Sequence, residues 1–397
     1  MPIKKYINVY EQFITSYRTK ENIMKNSTAS ALDNDFLESN EDLGIQELST
    51  QRVKKAKAAY NVRNVSFDGA KFLLTENIKP NPGDLVLAKI TAIGQHQRIE
   101  LCNGRRSWLY IGDEIIVCYG SRYAPDQFEA YIPETLEPCH LVAAGGIASK
   151  SINRHSKMKR ATQIQPLGIL ADAQGERFNI NNWAISPIAS KKPRPFTVAV
   201  LGTSMNAGKT TTAAGIIYSL KKQGLKVAAA KVTGTGAGGD RWKMVDAGAD
   251  IILDFTDAGL TSTFGVSTQQ LESTFHCLMD NLCAIEPDVI VLEVADGLYQ
   301  KETAALMASD FFKASVDEIV FAAGEALGAK KGTVILDQEG YTVCAVSGAI
   351  NASPLAKSEA ENELDLPVLQ PEAVGDLIHG LLQKNKNTSN VSSITSA

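Results

Sequence analysis

The chain has 397 residues, a formal net charge of −4, and 44% apolar against 21% charged residues. That length predicts two or three domains, and the balance is that of an ordinary globular protein. The acidic net charge disfavours a nucleic-acid binder, no stretch is apolar and long enough to span a bilayer, and the first residues lack the apolar run of a secretory signal, so a cytoplasmic protein is expected.

Residues 1–50 are polar and mixed in charge, with an acidic run from Asp33 to Asp42, and predict a flexible N-terminal arm. From 51 to 189 the hydrophobic period is near two. Short strands are predicted at Asp84–Ile90, Gln97–Leu101, Trp108–Ile111, Glu114–Tyr119 and Gln127–Ile132, separated by turn signals such as Asn81–Asp84 and Asn103-Gly104. Regular short strands of this kind make a small β-barrel or sandwich. Ser151–Arg160 carries Arg154, Lys157, Lys159 and Arg160, which reads either as a solvated basic loop or as a phosphate contact. Gly168–Phe178 reads as a further hairpin and Ser190–Pro195 as a linker. The six cysteines have no C-x-x-C spacing, which predicts reduced, mostly buried thiols and no zinc site.

From 190 to 383 the pattern becomes alternating βα. Strands are predicted at Phe196–Leu201, Lys226–Val232, Val289–Glu293, Glu318–Ala323 and Thr342–Val346, with helices after Gly208, over Ser267–Cys283, near Glu302–Ser309 and from Pro371. The fold class is therefore α/β, a parallel sheet with helices on both faces preceded by the small β domain. Residues 384–397 are rich in Asn, Ser and Thr and read as a disordered tail.

The most specific segment is GTSMNAGKTT, residues 202–211. It lies between an apolar strand and a helix with Ala213, Ile216, Ile217 and Leu220 on one face. This is the layout of a P-loop, in which backbone amides and the helix N-terminus cradle phosphate, a lysine neutralises it, and the next hydroxyl reaches Mg²⁺. Gly202, Thr203, Asn206, Ala207, Gly208, Lys209, Thr210 and Thr211 are thus the expected nucleotide-binding residues. Five residues separate Gly202 from Gly208, one more than in the common form.

Ligands of such sheets sit at the carboxyl ends of the strands. There the second predicted strand ends in Lys231 before a glycine-rich loop, placing a cation beside the phosphates. Asp240, Asp254 and Asp257 follow as Mg²⁺ candidates, since that ion takes one or two carboxylates plus phosphate oxygens. Asp246 and Asp250 read as helix-surface or capping residues. Glu293 closes an apolar strand, where a second Mg²⁺ ligand or water-orienting base would sit, and Asp296 follows it. The expected metal set is Thr210, Asp254 and Glu293, and the expected catalytic set is Lys209, Lys231 and Glu293. Asn351 reads either as the amide that contacts the nucleotide base or as a turn residue.

These motifs occur in the same order in dethiobiotin synthetase: G-x5-G-K-T, Lys231 with Thr233-Gly234, Glu293, Leu327-Gly328 and Asn351. Over about residues 196–370 the chain resembles that deviant P-loop class. Asp254-Phe255 with Ala258-Gly259 also resembles a motif in the C-terminal domain of a family containing D-glutamate N-acetyltransferases. The first resemblance implies Mg-ATP as cofactor, Lys231 on the reacting carbamate or phosphoryl group, a small-molecule acceptor and a homodimer. The interior of this loop and the β domain depart from dethiobiotin synthetase, so the substrate does not transfer. The leading expectation is a ligase- or kinase-like enzyme activating a small carboxylate, carbamate or similar acceptor. Two alternatives stand beside it: a regulatory or assembly NTPase whose β domain binds a partner, and an acyltransferase that holds coenzyme A phosphates in the P-loop.

Overall fold

The computed structural model describes residues 44–188 and 192–394, with side chains to residue 385. Residues 1–43, most of the predicted arm, lie outside that range. The first domain contains β1 (Ile45–Glu47), α1 (Thr50–Lys55), β2 (Lys57–Ala58), β3 (Phe72–Leu74), β4 (Leu85–Ala92), β5 (Arg98–Glu100), β6 (Arg106–Trp108), β7 (Glu114–Tyr119), β8 (Arg122–Tyr123), β9 (Phe128–Tyr131), β10 (Cys139–Ala143), β11 (Ile147–Arg154) and β12 (Thr162–Ala171). Pairing runs β12–β4–β7–β11–β10 and back to β12, so five of these strands close on themselves as a small barrel. Closure leaves those strands no free edge. Its interior is filled by residues such as Ile90, Ile115, Val117, Leu141 and Ile164. The strand β1 pairs with β3, so the β domain begins within the stretch that the sequence assigns to the arm.

The second domain contains β13 (Phe196–Gly202), α2 (Lys209–Lys222), β14 (Val227–Lys231), α3 (Gly239–Asp246), β15 (Ile251–Asp254), α4 (Thr268–Ala284), β16 (Val289–Glu293), α5 (Lys301–Ala308), α6 (Asp310–Ser315), β17 (Glu318–Ala322), α7 (Ala326–Gln338), β18 (Val343–Ser347), α8 (Pro354–Glu363) and α9 (Pro371–Ile394). Its sheet has the order β15–β14–β16–β13–β17–β18, and every pairing is parallel. Two apolar layers cover the sheet. One centres on Phe275, Leu278 and Phe312, and the other on Ile216, Ile217 and Ile378. Both faces are therefore dry, which is why the strands read as continuous apolar runs.

The sequence reading assigns no strand to β15. Its four residues, Ile251–Asp254, are too short a run for periodicity to separate from a buried turn. The helix α9 continues to Ile394, into the stretch read as a tail, while 395–397 lie outside the described residues. Among the described residues no helix is long and apolar enough to cross a membrane. None of the six cysteines is in a disulfide.

Candidate functional site

The P-loop joins the central strand β13 to α2. Gly208 caps that helix with φ of 96°. A Cβ there would also lie 2.7 Å from the amide nitrogen of Ala349, so only glycine satisfies both the left-handed backbone and the close approach. The loop is tied down by Thr203 N–H to the Ala322 carbonyl at 3.0 Å and by Ala349 N–H to the Ala207 carbonyl at 2.8 Å. Lys209 is buried, and its Nζ donates to the carbonyls of Ser204 at 2.7 Å and Asp296 at 2.8 Å. Burial lowers its pKa against the opposing pull of Glu293 and Asp296.

Strand register places the chemistry. Lys231 at the end of β14 lies opposite Glu293 at the end of β16, one strand from the P-loop strand. Thr210 Oγ1 lies 2.8 Å from Glu293 Oε1 and 3.0 Å from Asp240 Oδ1. Lys231 forms a short ion pair with Asp240. The second Glu293 oxygen, Oε2, is buried with no hydrogen-bond partner. Burial and the Asp240 charge push Glu293 up to about 7. For Asp240 burial acts the other way from its partners, and Lys231, Thr210 and Lys209 hold its carboxyl below the usual value. Lys231 pays the same desolvation, yet Asp240 and Glu293 raise its pKa above the usual lysine value. Two carboxylates, a hydroxyl and an orphaned carboxylate oxygen fit a Mg²⁺ that completes its shell with phosphate and water. Among the described residues no group of three or more His, Cys, Asp or Glu side chains gathers as a protein-only metal cage.

Asp254 requires a correction. It ends β15 opposite Lys231, but its carboxylate is consumed in the domain interface. Tyr60 donates to it at 2.5 Å and Arg63 at 3.2 Å. Asp257 is likewise bound by Arg63 at 2.5 Å, Asn64 at 2.9 Å and Arg241 at 2.8 Å. These two aspartates join the domains, and it is Asp240, not Asp254, that stands beside Thr210. The second nucleotide-side correction concerns Asn351. It lies beside the P-loop flank formed by Gly348 and Ala349, outside the cavity lining. Its Nδ2 donates to the Leu369 carbonyl at 2.8 Å, while its Oδ1 is buried without a partner.

The β domain sits across this site. Glu100 accepts from Gly238 N–H at 2.9 Å and from Trp242 Nε1 at 3.0 Å. Asp126 accepts from the P-loop residue Asn206 at 2.5 Å. Between the domains lies a cavity of about 620 Å³. Lys209, Thr210, Thr211, Lys231, Asp240, Glu293 and Asp296 line one wall, and His96, Arg106, Arg122, Tyr123 and Gln127 line the other. The second wall was not legible as functional in the sequence: single polar residues at the ends of short strands carry no spacing signal. The basic segment 151–160 is mostly exposed and does not line the cavity.

A Gly-Lys-Thr loop between the central strand and the first helix of a parallel sheet, with carboxylates at the neighbouring strand ends, defines a P-loop nucleotide-binding α/β fold. No protein-family model and no curated protein matches the chain. Among solved structures it is similar to the signal recognition particle receptor FtsY of Elizabethkingia anophelis, at 17% identity over 46% of this chain and 59% of that one, TM-score 0.30. FtsY of Mycoplasma mycoides gives 13% over 46% and 62%, TM-score 0.34. The 54 kDa signal recognition particle protein of Aeropyrum pernix K1, in complex with GDP, gives 14% over 53% and 51%, TM-score 0.30. The chain thus spans less than two thirds of each neighbour.

Proposed function

We propose that the protein is a Mg-ATP-dependent enzyme, ligase- or kinase-like, that activates a small acceptor held between the P-loop and the β domain. One observation carries this reading: Thr210, Asp240, Glu293 and Lys231 converge on the wall of an interdomain cavity. A covered site of that kind excludes water and strengthens every charge inside it. In this reading the amides at the start of α2 receive the phosphates, because first-turn N–H groups have no intrahelical partner. Lys209 exchanges its bonds to the Ser204 and Asp296 carbonyls for phosphate oxygens. Thr210, Glu293 and Asp240 hold Mg²⁺, which supplies charge neutralisation on the phosphates. Lys231, kept charged by its two carboxylate neighbours, faces the reacting group and offsets negative charge as it develops.

Lys209→Ala is expected to abolish Mg-ATP binding measured by calorimetry; unchanged affinity would refute the P-loop assignment. For the reaction, ADP release is measured with pools of small metabolites. Metabolite-stimulated release supports the enzyme reading. Release stimulated only by another protein favours the regulatory NTPase, and acetyl-CoA binding without hydrolysis favours the acyltransferase.

A further inference from the structure

The cavity wall supplied by the β domain contains a buried cation that makes no direct ion pair, although the Asp126 charge acts on it from beyond ion-pair distance. Arg122, at the start of β8, is 5% exposed and lines the cavity. Its Nη2 donates to Gln127 Oε1 at 2.9 Å, while Nε and Nη1 are buried with no partner. No carboxylate lies within ion-pair distance of it among the described residues. Its acidic neighbour in sequence, Asp126, accepts through Oδ2 from Asn206 of the P-loop, while its Oδ1 is buried without a partner and its charge partly offsets the cost of burying Arg122. A buried guanidinium with idle donors is costly unless something pairs with it, and a planar fork of donors matches a carboxylate.

His96 lines the same wall, and its Nδ1 is also buried without a partner. Burial and the Arg122 charge lower its pKa to about 3, so it is neutral, and its acceptor suits a hydroxyl or N–H of the bound molecule rather than the carboxylate. Tyr123 continues the lining, backed across the domain boundary by Phe264 at 5.5 Å between ring centroids.

We propose that Arg122 is the specificity residue of the acceptor subsite and binds a carboxylate of the acceptor, on the cavity wall facing the P-loop. The assignment rests on the reading of the cavity as a Mg-nucleotide and acceptor site. It narrows the acceptor to small carboxylic acids whose reacting group points away from Arg122, toward Lys231 and Thr210.

The test is the shift in melting temperature of the full chain with Mg²⁺ and a non-hydrolysable ATP analogue. Malonate, succinate or glutarate is added at matched ionic strength, with succinamide as the uncharged counterpart. At saturating concentration at least one dicarboxylate is expected to raise the wild-type midpoint by about 3 °C, and succinamide is not. Arg122→Gln should lose that rise, and Arg122→Lys, which keeps the charge without the fork, should keep part of it. The shift given by the nucleotide analogue alone is read on each variant, so it checks folding and tests the P-loop reading separately. The proposal fails if no carboxylate shifts the wild type, if succinamide acts like succinate, or if Arg122→Gln responds as wild type does. It also fails if Arg122→Gln weakens the ATP analogue but not ADP, because that would assign Arg122 to the γ-phosphate.

Discussion

Two pairs of acids lie at the carboxyl edge of the same sheet, and they have opposite fates. Asp254 and Asp257 are enclosed by Arg63, Arg241, Asn64 and Tyr60. Asp240 and Glu293 meet one lysine and one hydroxyl, and Glu293 keeps an oxygen idle. The first pair has as many donors as its oxygens need, so it functions as a joint between domains. In the second pair Asp240 is half-buried and engaged through both oxygens, whereas Glu293 keeps a buried oxygen without a partner, which is the condition under which a metal or substrate is favoured as the missing partner. A strand-end carboxylate is therefore not a site by position. It becomes one when the fold withholds its partners.

The largest effect that separates the pairs should come from Arg63→Ala. Removing one partner of a buried charge network costs about 3–5 kcal/mol, and a urea midpoint should report it. A loss below about 1 kcal/mol would mean that the joint contributes little. Next, Glu293→Gln should keep Mg-ATP binding and slow turnover about a hundredfold, equivalent to ~2.7 kcal/mol of barrier; wild-type rates would remove Glu293 from the site. Glu100→Gln weakens the bonds to Gly238 and Trp242 without emptying the space, and should cost about 1–2 kcal/mol of stability, read from the same midpoint. The smallest effect, when read over a single pH unit, concerns His96. It stays neutral in the fold down to about pH 3 but takes up a proton near 6.5 when unfolded, so the unfolded chain binds more protons between those values. Stability should therefore fall as pH drops below about 6.5, by ~1.4 kcal/mol per unit from this group. His96→Gln should flatten that slope between pH 6 and 5, and an unchanged slope would assign it to other groups.

Much of the second domain was legible in the sequence. Buried parallel strands must be continuously apolar, and they showed as such at Val289–Glu293 and Phe196–Leu201. The Gly-Lys-Thr loop was legible because its chemistry is local: a helix start, a lysine and a hydroxyl in consecutive positions. The helix Ala326–Gln338 was missed because Leu327-Gly328 reads as a loop, whereas Glu325 caps the helix by accepting from the amides of both residues. In the β domain the short strands were visible, but the residues facing the cavity were not. Arg122 and His96 are single polar positions with nothing around them to mark a site.

The sequence alone determined the parallel sheet, the phosphate loop and the cation after its second strand, because hydrophobic period and loop chemistry depend on near neighbours in the chain. Only the tertiary structure decided which carboxylate stands by Thr210 and which is given to Arg63. It also decided that Arg122 faces Lys209 across one cavity. The Arg63 and Arg122 juxtapositions join residues of two domains, and the electrostatic balance of a buried charge depends on every group that surrounds it in space.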